Sequence, residues 1–109
     1  MAWIVEYTKT ADADLNELDN SQKIQVIKAI RKVSENPLPS TKGGYGKPLG
    51  HHASANLVGY SEIKLKKLGI RVIYRIVQEK EVMRIVIISI RGDEQVYKLL
   101  HERIRKETI

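Results

Sequence analysis

The first part of the chain changes from an alternating pattern of hydrophobic and polar residues to a helical one. The alternation covers residues 3–7 (WIVEY), which are rich in β-forming types, and it predicts a strand. Ala11, Leu15 and Leu18 follow at the spacing of one helical face. A threonine, at position 8 or 10, is placed to cap this helix at its start.

A second, longer helix is predicted directly after the first. Residues 19–21 (DNS) form a break that also offers a fresh N-cap. Beyond it, isoleucine recurs every three residues from Ile24 to Ile30, and this predicts an apolar stripe along one side of the helix. The helix should end at about Asn36, because prolines follow at positions 37 and 39.

The second half of the chain predicts three strands and a final helix. Residues 37–59 hold all three prolines and five of the seven glycines, so we expect a long loop there. Strands are predicted near 60–67, 70–78 and 82–90, and the hairpin length of their connections makes them antiparallel. The last strand is almost continuously apolar and should be central in the sheet. A helix should then run from about Asp93 to about Lys106.

The predicted order of elements is β-α-α-β-β-β-α, which belongs to the α+β class. We expect an N-terminal strand, a helical hairpin, a three-stranded antiparallel meander and a C-terminal helix, with the helices on one face of a mostly antiparallel sheet. The apolar face of the helical hairpin needs the later strands to cover it. Residues 1–109 are therefore expected to form a single domain.

Composition and charge narrow the class of protein. The chain has 109 residues, of which 42% are hydrophobic, enough for one core. It contains no cysteine, which excludes disulfides and fits a reducing cytoplasm. No stretch approaches the roughly 18 apolar residues of a membrane span, and no secretory signal is recognisable, so we expect a cytoplasmic protein without a membrane partner. The net charge of +6 favours an anionic partner such as nucleic acid.

Cations recur on the otherwise apolar strands of the second half. Lys64 and Arg71 lie on the first two strands of the meander, Arg91 lies at the end of the third, and Tyr97 follows near the start of the last helix. Cations with a phenol suit the binding of a phosphodiester and the stabilisation of charge as it transfers. Each also has a structural interpretation. In that interpretation, the lysine protects an edge strand from aggregation, an arginine pairs with a carboxylate, and the tyrosine packs in the core.

Residues 69–74 have the pattern G-x-R-V-x-Y, and the next strand ends in Arg91, followed by Val96-Tyr97. Together with the strand that contains Trp3, the helical hairpin and Lys47-Pro48-Leu49, these segments resemble the RelE/ParE superfamily of bacterial toxins. The resemblance runs nearly the whole length of the chain and points to the ribonuclease branch, RelE. The G-x-R-V-x-Y motif is its most specific part, and it identifies the superfamily better than the branch.

The resemblance implies a cytoplasmic toxin that cleaves messenger RNA in the ribosomal decoding site without a metal or other cofactor. The ribose 2′-hydroxyl would attack the adjacent phosphate and leave a 2′,3′-cyclic phosphate. Lys64 matches the catalytic lysine of the family, Arg71 the arginine that holds the transition-state phosphate, Arg91 an arginine near the leaving group, and Tyr97 the active-site tyrosine. The partners implied are a cognate antitoxin, messenger RNA and the ribosome, with oligomers formed only through the antitoxin.

One position departs from the better-known relatives. Glu62 stands where they have a second lysine, and it lies on the same side of the strand as Lys64. Either Glu62 accepts the proton, as a glutamate does in a sister branch, or it pairs with Lys64, and both interpretations remain open. Further RNA contacts are expected from five other cations, namely Lys66, Lys67, Arg75, Arg103 and Arg105.

A second function is compatible with the same resemblance. ParE-like toxins share much of the hydrophobic and Arg–Tyr pattern, lack the catalytic lysine set, and block DNA gyrase without being enzymes. Lys64 with Arg91 and Tyr97 favours the nuclease, whereas Glu62 weakens that assignment.

Overall fold

The computed structural model describes residues 2–52, 55–90 and 92–107. It contains five strands and three α-helices, with short 3₁₀ turns at 40–42 and 78–80. The elements in chain order are β1 (Ile4–Tyr7), α1 (Lys9–Asn16), α2 (Asn20–Ser34), β2 (Lys47–His52), β3 (Ala55–Leu65), β4 (Ile70–Val77), β5 (Val82–Ser89) and α3 (Asp93–Glu107). No helix in these ranges is long and apolar enough to cross a membrane.

Both helices of the N-terminal hairpin begin at the predicted caps. The Thr8 hydroxyl accepts a hydrogen bond from the Ala11 amide at 3.2 Å. Asp19 and Gln22 form a reciprocal capping box, with the Gln22 amide donating to Asp19 at 2.8 Å and the Asp19 amide donating to Gln22 at 3.2 Å. Side chains therefore satisfy backbone donors that the first turn of each helix leaves without partners.

The strands form one sheet in the order β1-β5-β4-β3-β2. The meander β3–β4–β5 is antiparallel, as predicted, and β1 joins β5 in parallel. The nearly continuous apolar strand β5 lies between β1 and β4, so the prediction of an interior position is confirmed. The α+β class is confirmed as well.

The predicted loop over residues 37–59 is shorter than expected. It ends at Gly46, because β2 and the first residues of β3 form an additional hairpin at the edge of the sheet. Pro48 and Gly50 gave this segment the pattern of a loop, so the strand was not predicted. An edge strand tolerates both residues, since one row of its backbone groups needs no partner. The register shifts between Pro48 and Gly50, as expected of an irregular edge.

The strand β3 also ends two residues earlier than predicted. Leu65 pairs with Ile70, and the turn between them is closed by hydrogen bonds from the Leu68 amide to Leu65 and from the Gly69 amide to Lys66. Gly69 has a φ of +67°, a left-handed conformation that glycine adopts without strain. Lys66 therefore lies in the turn and not on the strand, which corrects the prediction that it continues the alternation of Lys64.

The structure differs from the expected arrangement in the position of the last helix. The helical pair α1 and α2 covers one face of the sheet, where Val72, Tyr74 and Ile85 are buried. The helix α3 packs on the opposite face, where Leu100 contacts a second apolar cluster that includes Ile87. An interior strand such as β5 has apolar side chains on both faces, so each face needs its own cover.

A buried tyrosine fixes the loop that precedes β2. The Tyr74 hydroxyl donates a hydrogen bond of 2.9 Å to the Pro37 carbonyl. A Cβ atom at Gly46 would lie only 2.8 Å from that hydroxyl and 2.7 Å from the Pro37 carbonyl oxygen, so no larger residue fits there without displacing backbone. Burial raises the pKa of Tyr74 to about 12, partly offset by a hydrogen bond with Ser61. The last residue of the G-x-R-V-x-Y motif thus has a structural role.

An ion pair closes the edge of β5 beyond the end of β1. The strand β1 pairs only with residues 82–85 of β5. Further along, the Ile88 amide donates to Asp14 at 3.1 Å and Arg103 donates to the Val86 carbonyl at 2.7 Å. Arg103 also binds both carboxylate oxygens of Asp14, at 2.8 and 3.0 Å. Because Asp14 is on α1 and Arg103 on α3, this pair links the layers on the two faces of the sheet.

Candidate functional site

Two of the predicted catalytic cations lie directly opposite each other on neighbouring strands. Lys64 of β3 pairs with Arg71 of β4, and both side chains are partly exposed. Their Cβ atoms are therefore about 5 Å apart, a separation at which like charges destabilise a sheet. Both line a recess of about 180 Å³ at the turn, together with Lys66. The recess thus concentrates positive charge where an anion is the natural occupant.

Glu62 is a buried neighbour of Lys64 on the same face of β3. Its side chain is only 3% exposed, whereas that of Lys64 is 28% exposed, and the carboxylate oxygen Oε1 is 3.6 Å from the lysine Nζ. The other oxygen, Oε2, is buried and accepts no hydrogen bond from any residue that the structure describes. Leaving such an oxygen unsatisfied is unfavourable, so this carboxylate is a strained element of the site. The lysine, and not the glutamate, faces solvent.

Tyr97 lies on the same face of the sheet but inside the core. Tyr97 belongs to the apolar cluster under α3, which also contains Leu49, Tyr60 and Ile73, and it is 8% exposed. Tyr97 therefore packs as the structural interpretation expects, and its catalytic role stays a prediction.

Arg75 extends the row of cations along β4. It pairs in register with Tyr60, and its guanidinium carbon lies 5.9 Å from the centre of the Tyr60 ring. A guanidinium at this distance from an aromatic face is held by a cation–π contact. The contact orients Arg75 on the same face as Arg71, which fits the prediction that it belongs to an RNA track.

The other predicted RNA contacts are dispersed. Lys66 and Lys67 are exposed in the turn after β3, and Arg105 is exposed near the end of α3. Arg103 does not face solvent, because it is held by Asp14 and the Val86 carbonyl at the edge of β5. The structure therefore gives Arg103 a structural partner. Arg91 lies outside the described residues, so its assignment stays a prediction.

Two residues of this surface escaped the sequence analysis. Ser89 lies opposite Arg71 on β5, and Lys47 lies opposite Glu62 on β2. The signal for Ser89 was present, since it is a polar residue at the end of an apolar strand. Lys47 was part of the segment 47–49 that carries the family resemblance, but it was not assigned to the site because β2 was not predicted. Among the described residues, no group of three or more histidine, aspartate or glutamate side chains gathers as a metal site.

The fold and this site define a class of protein, namely a small α+β domain that presents a lysine–arginine pair over a buried carboxylate on one sheet face. The chain belongs to the family of ParE toxins of type II toxin–antitoxin systems, parDE, whose sequence profile matches residues 5–97. It is therefore a member of a toxin family, within the RelE/ParE superfamily that the motif at residues 69–74 indicated.

Relatives and solved structures agree with this assignment. A RelE-like toxin protein of Escherichia coli is 28% identical over 108 residues, covering 96% of this chain and all of the relative. The RelBE2 toxin–antitoxin complex of Mycobacterium tuberculosis contains a chain that is 26% identical with a TM-score of 0.66, covering 85% of this chain and 95% of that one. The isolated RelE toxin of E. coli is 22% identical with a TM-score of 0.67, covering 94% and 99% of the two chains, and this likeness establishes the fold.

Proposed function

We propose that this toxin is an endoribonuclease that cleaves messenger RNA, in the cytoplasm and on the ribosome, without a metal. The observation that carries the proposal is the direct opposition of Lys64 and Arg71 beside a buried Glu62. A phosphodiester that lies between two facing cations is attracted by both of them. The likeness to RelE toxins supports the same activity.

The cleavage uses the ribose as its own nucleophile. The 2′-hydroxyl attacks the adjacent phosphorus and gives its proton to the Lys64 amine, which has first released its own proton to solvent. A new P–O2′ bond forms, and the bond to the 5′ oxygen of the next nucleotide breaks. Arg71 neutralises the charge that builds on the phosphate oxygens in the transition state. Arg91 or Tyr97 assists the departing 5′ oxygen, which takes up a proton, or orients the nucleotide. The products are a 2′,3′-cyclic phosphate and a 5′-hydroxyl.

We assign the contact with the 2′-hydroxyl to Lys64. Its side chain is the exposed member of the pair, whereas the Glu62 carboxylate is 3% exposed and its Oε2 is buried. A general base has to lie within hydrogen-bonding reach of the proton that it accepts. In this arrangement Glu62 orients the lysine through their ion pair. The exposure of Lys64 supports the interpretation in which Lys64 is the group that touches RNA.

The cognate partner is an antitoxin that covers this surface. Toxins of the same fold are found with RelB antitoxins in M. tuberculosis and in E. coli. For the present chain, the charge of +6 favours an acidic partner segment over the cationic face. Association should therefore weaken as the salt concentration rises.

A second candidate function is inhibition of DNA gyrase. The observation that favours it is the match of residues 5–97 to the ParE profile. A gyrase inhibitor needs the fold and a docking surface, but it does not need the opposition of Lys64 and Arg71.

The experiment that separates the two functions is brief expression of the toxin, followed by primer extension on cellular messages and by assay of gyrase–DNA adducts. Discrete cuts within translated regions, lost in a Lys64→Ala, Arg71→Ala double variant, support the nuclease. Adducts without cuts, or full toxicity of the double variant, overturn the nuclease in favour of gyrase inhibition. A matched control is the Lys28→Ala, Arg31→Ala double variant, which removes two exposed cations from α2 on the opposite face.

A further inference from the structure

The edge strand β2 places one more cation on the face of the candidate site. Lys47 pairs in register with Glu62, and its side chain is exposed. Residues that pair across two strands project to the same face of a sheet. Leu49, two positions further along β2, is buried in the cluster under α3, so this side of β2 does face the site.

The position of Lys47 relative to the lysine–arginine pair is fixed by the register. Lys64 is two residues from Glu62 on β3, so Lys47 and Lys64 are diagonal neighbours about 7–8 Å apart. Arg71 lies on the far side of Lys64, on β4. The three cations therefore follow a bent line, diagonal from β2 to β3 and straight across from β3 to β4. The separation of Lys47 from the pair is comparable to one nucleotide step of an extended strand.

Lys47 does not serve as the ion-pair partner of Glu62. The Glu62 carboxylate is covered, its Oε1 lies 3.6 Å from the Lys64 amine, and its Oε2 accepts no hydrogen bond within the described part of the chain. Lys47 forms no ion pair with this carboxylate at 4 Å or less, although it occupies the paired position. Its ammonium group projects to solvent on the site face.

We propose that Lys47 binds the backbone phosphate that neighbours the scissile phosphate, and so fixes the register of the RNA strand across Lys64 and Arg71. The inference rests on the proposed ribonuclease function and adds a second phosphate position to it. Lys47 is a binding residue in this scheme and takes no part in bond breaking. Its contribution is equal in the ground state and the transition state, so it changes the affinity for RNA and leaves the maximal rate unchanged.

The test uses the full-length toxin, purified and free of antitoxin, on ribosomes programmed with a synthetic message. Single-turnover cleavage is measured against toxin concentration for Lys47→Ala, Lys47→Arg and the control Lys28→Ala. We expect Lys47→Ala to raise the half-maximal concentration about fivefold, the upper range for one exposed ion pair. The maximal rate should stay unchanged, and Lys47→Arg should restore the affinity. The slope of log affinity against log salt should fall by about 0.7.

A chemical version of the test locates the phosphate. Messages with a neutral methylphosphonate at one position, on either side of the cleavage site, are compared with the parent message. If Lys47 binds the neighbouring phosphate, neutralising that position weakens the wild-type toxin and has no further effect on Lys47→Ala. If the loss of affinity from the methylphosphonate adds to the loss from Lys47→Ala at every position tested, Lys47 contacts another part of the complex, and the proposal would be wrong.

The outcomes separate this proposal from the function on which it rests. Cleavage that survives in both Lys64→Ala and Arg71→Ala contradicts the nuclease itself. Cleavage that is lost in those variants, while Lys47→Ala behaves as Lys28→Ala, contradicts only the role of Lys47. A lower maximal rate with an unchanged half-maximal concentration also contradicts it, because a binding residue changes the concentration dependence.

Discussion

The sheet face under α1 and α2 and the face under α3 are formed by the same strands. They differ in how their polar side chains are paired. On the first face Tyr74 is fully buried and its hydroxyl is satisfied by the Pro37 carbonyl. On the second face Lys64 stands opposite Arg71, and Glu62 is buried with one oxygen unsatisfied. The first face follows the rules of a stable core, whereas the second violates two of them.

Under the proposed function, this difference marks positions that serve RNA binding rather than stability. Local violations of packing and pairing rules are expected at functional sites, since they are unfavourable for folding. The neighbouring part of the second face obeys the rules, because α3 covers an apolar cluster that includes Ile73 and Ile87. Among the described residues, the buried carboxylate oxygen without a hydrogen bond is found at Glu62, whereas opposed cations occur both at Lys64 and Arg71 and at Arg75 and Arg84.

The largest effect is expected from removing the cations of the second face. In the proposed ribonuclease, Arg71→Ala should lower the cleavage rate about a hundredfold, which corresponds to about 3 kcal/mol of transition-state stabilisation. Lys64→Ala should be at least as damaging to cleavage, and it should also lower the free energy of unfolding, because the buried Glu62 carboxylate loses its ion-pair partner. Single-turnover cleavage and urea denaturation measure the two quantities. Arg31→Ala on the opposite face is the control for Arg71→Ala, and an equal loss in both would remove the distinction between the faces.

The next effect concerns the ion pair that joins the two layers. Arg103→Ala should lower the free energy of unfolding by about 3 kcal/mol, because Asp14 and the Val86 carbonyl lose a largely buried partner. Arg105→Ala, an exposed arginine on the same helix, should change it by less than about 0.5 kcal/mol. Urea denaturation of both variants provides the comparison. Similar stabilities would show that Arg103 is no more structural than a surface cation.

A smaller effect should appear in alkaline solution and belongs to the first face. Burial raises the pKa of Tyr74 to about 12, so the folded protein retains the phenol proton where the unfolded chain loses it near pH 10. The associated stability is complete below pH 10 and is lost as the pH rises to 12, by up to about 2.7 kcal/mol. Urea denaturation at pH 9 and at pH 11.5 measures it. Tyr74→Phe is the control and should lack this component, and an unchanged pH dependence in that variant contradicts the assignment.

The smallest effect is expected at the buried carboxylate. If Lys64 touches the RNA and Glu62 orients it, Glu62→Gln should keep the cleavage rate within about tenfold of the wild type. If Glu62 is the general base, the same change should lower the rate by about 10² to 10⁴. The amide is nearly the same size as the carboxylate, so the variant tests charge rather than packing. A loss in the larger range would return the base assignment to Glu62.

Local signals in the sequence predicted most of the fold. The caps at Thr8 and Asp19 and the meander hairpins depend on neighbouring residues, and the structure confirms them. The opposition of Lys64 and Arg71 is also local, because it is set by the turn at Gly69. These parts follow from periodicity and turn chemistry.

The remaining parts depend on contacts that the sequence does not display. The strand β2 is irregular at Pro48 and Gly50 and is stabilised by pairing with β3, so its pattern resembles a loop. The pairing of Arg103 with Asp14 joins residues 89 positions apart. Lys47 entered the site only because β2 exists. The edge of the site was therefore less predictable than its centre.

The pairing of β1 with β5 has a consequence for synthesis. Residues 4–7 lie beside residues 82–85, so the sheet joins two segments from opposite ends of the chain. Such non-local pairing is slow, because a long loop must close before any contact forms. The hairpin with Lys64 and Arg71 closes across a short turn and can form much earlier. A growing chain that has not reached residue 82 thus contains the hairpin of β3 and β4 but lacks the strand that pairs with residues 4–7. The sheet is complete only after residue 85 has been synthesised.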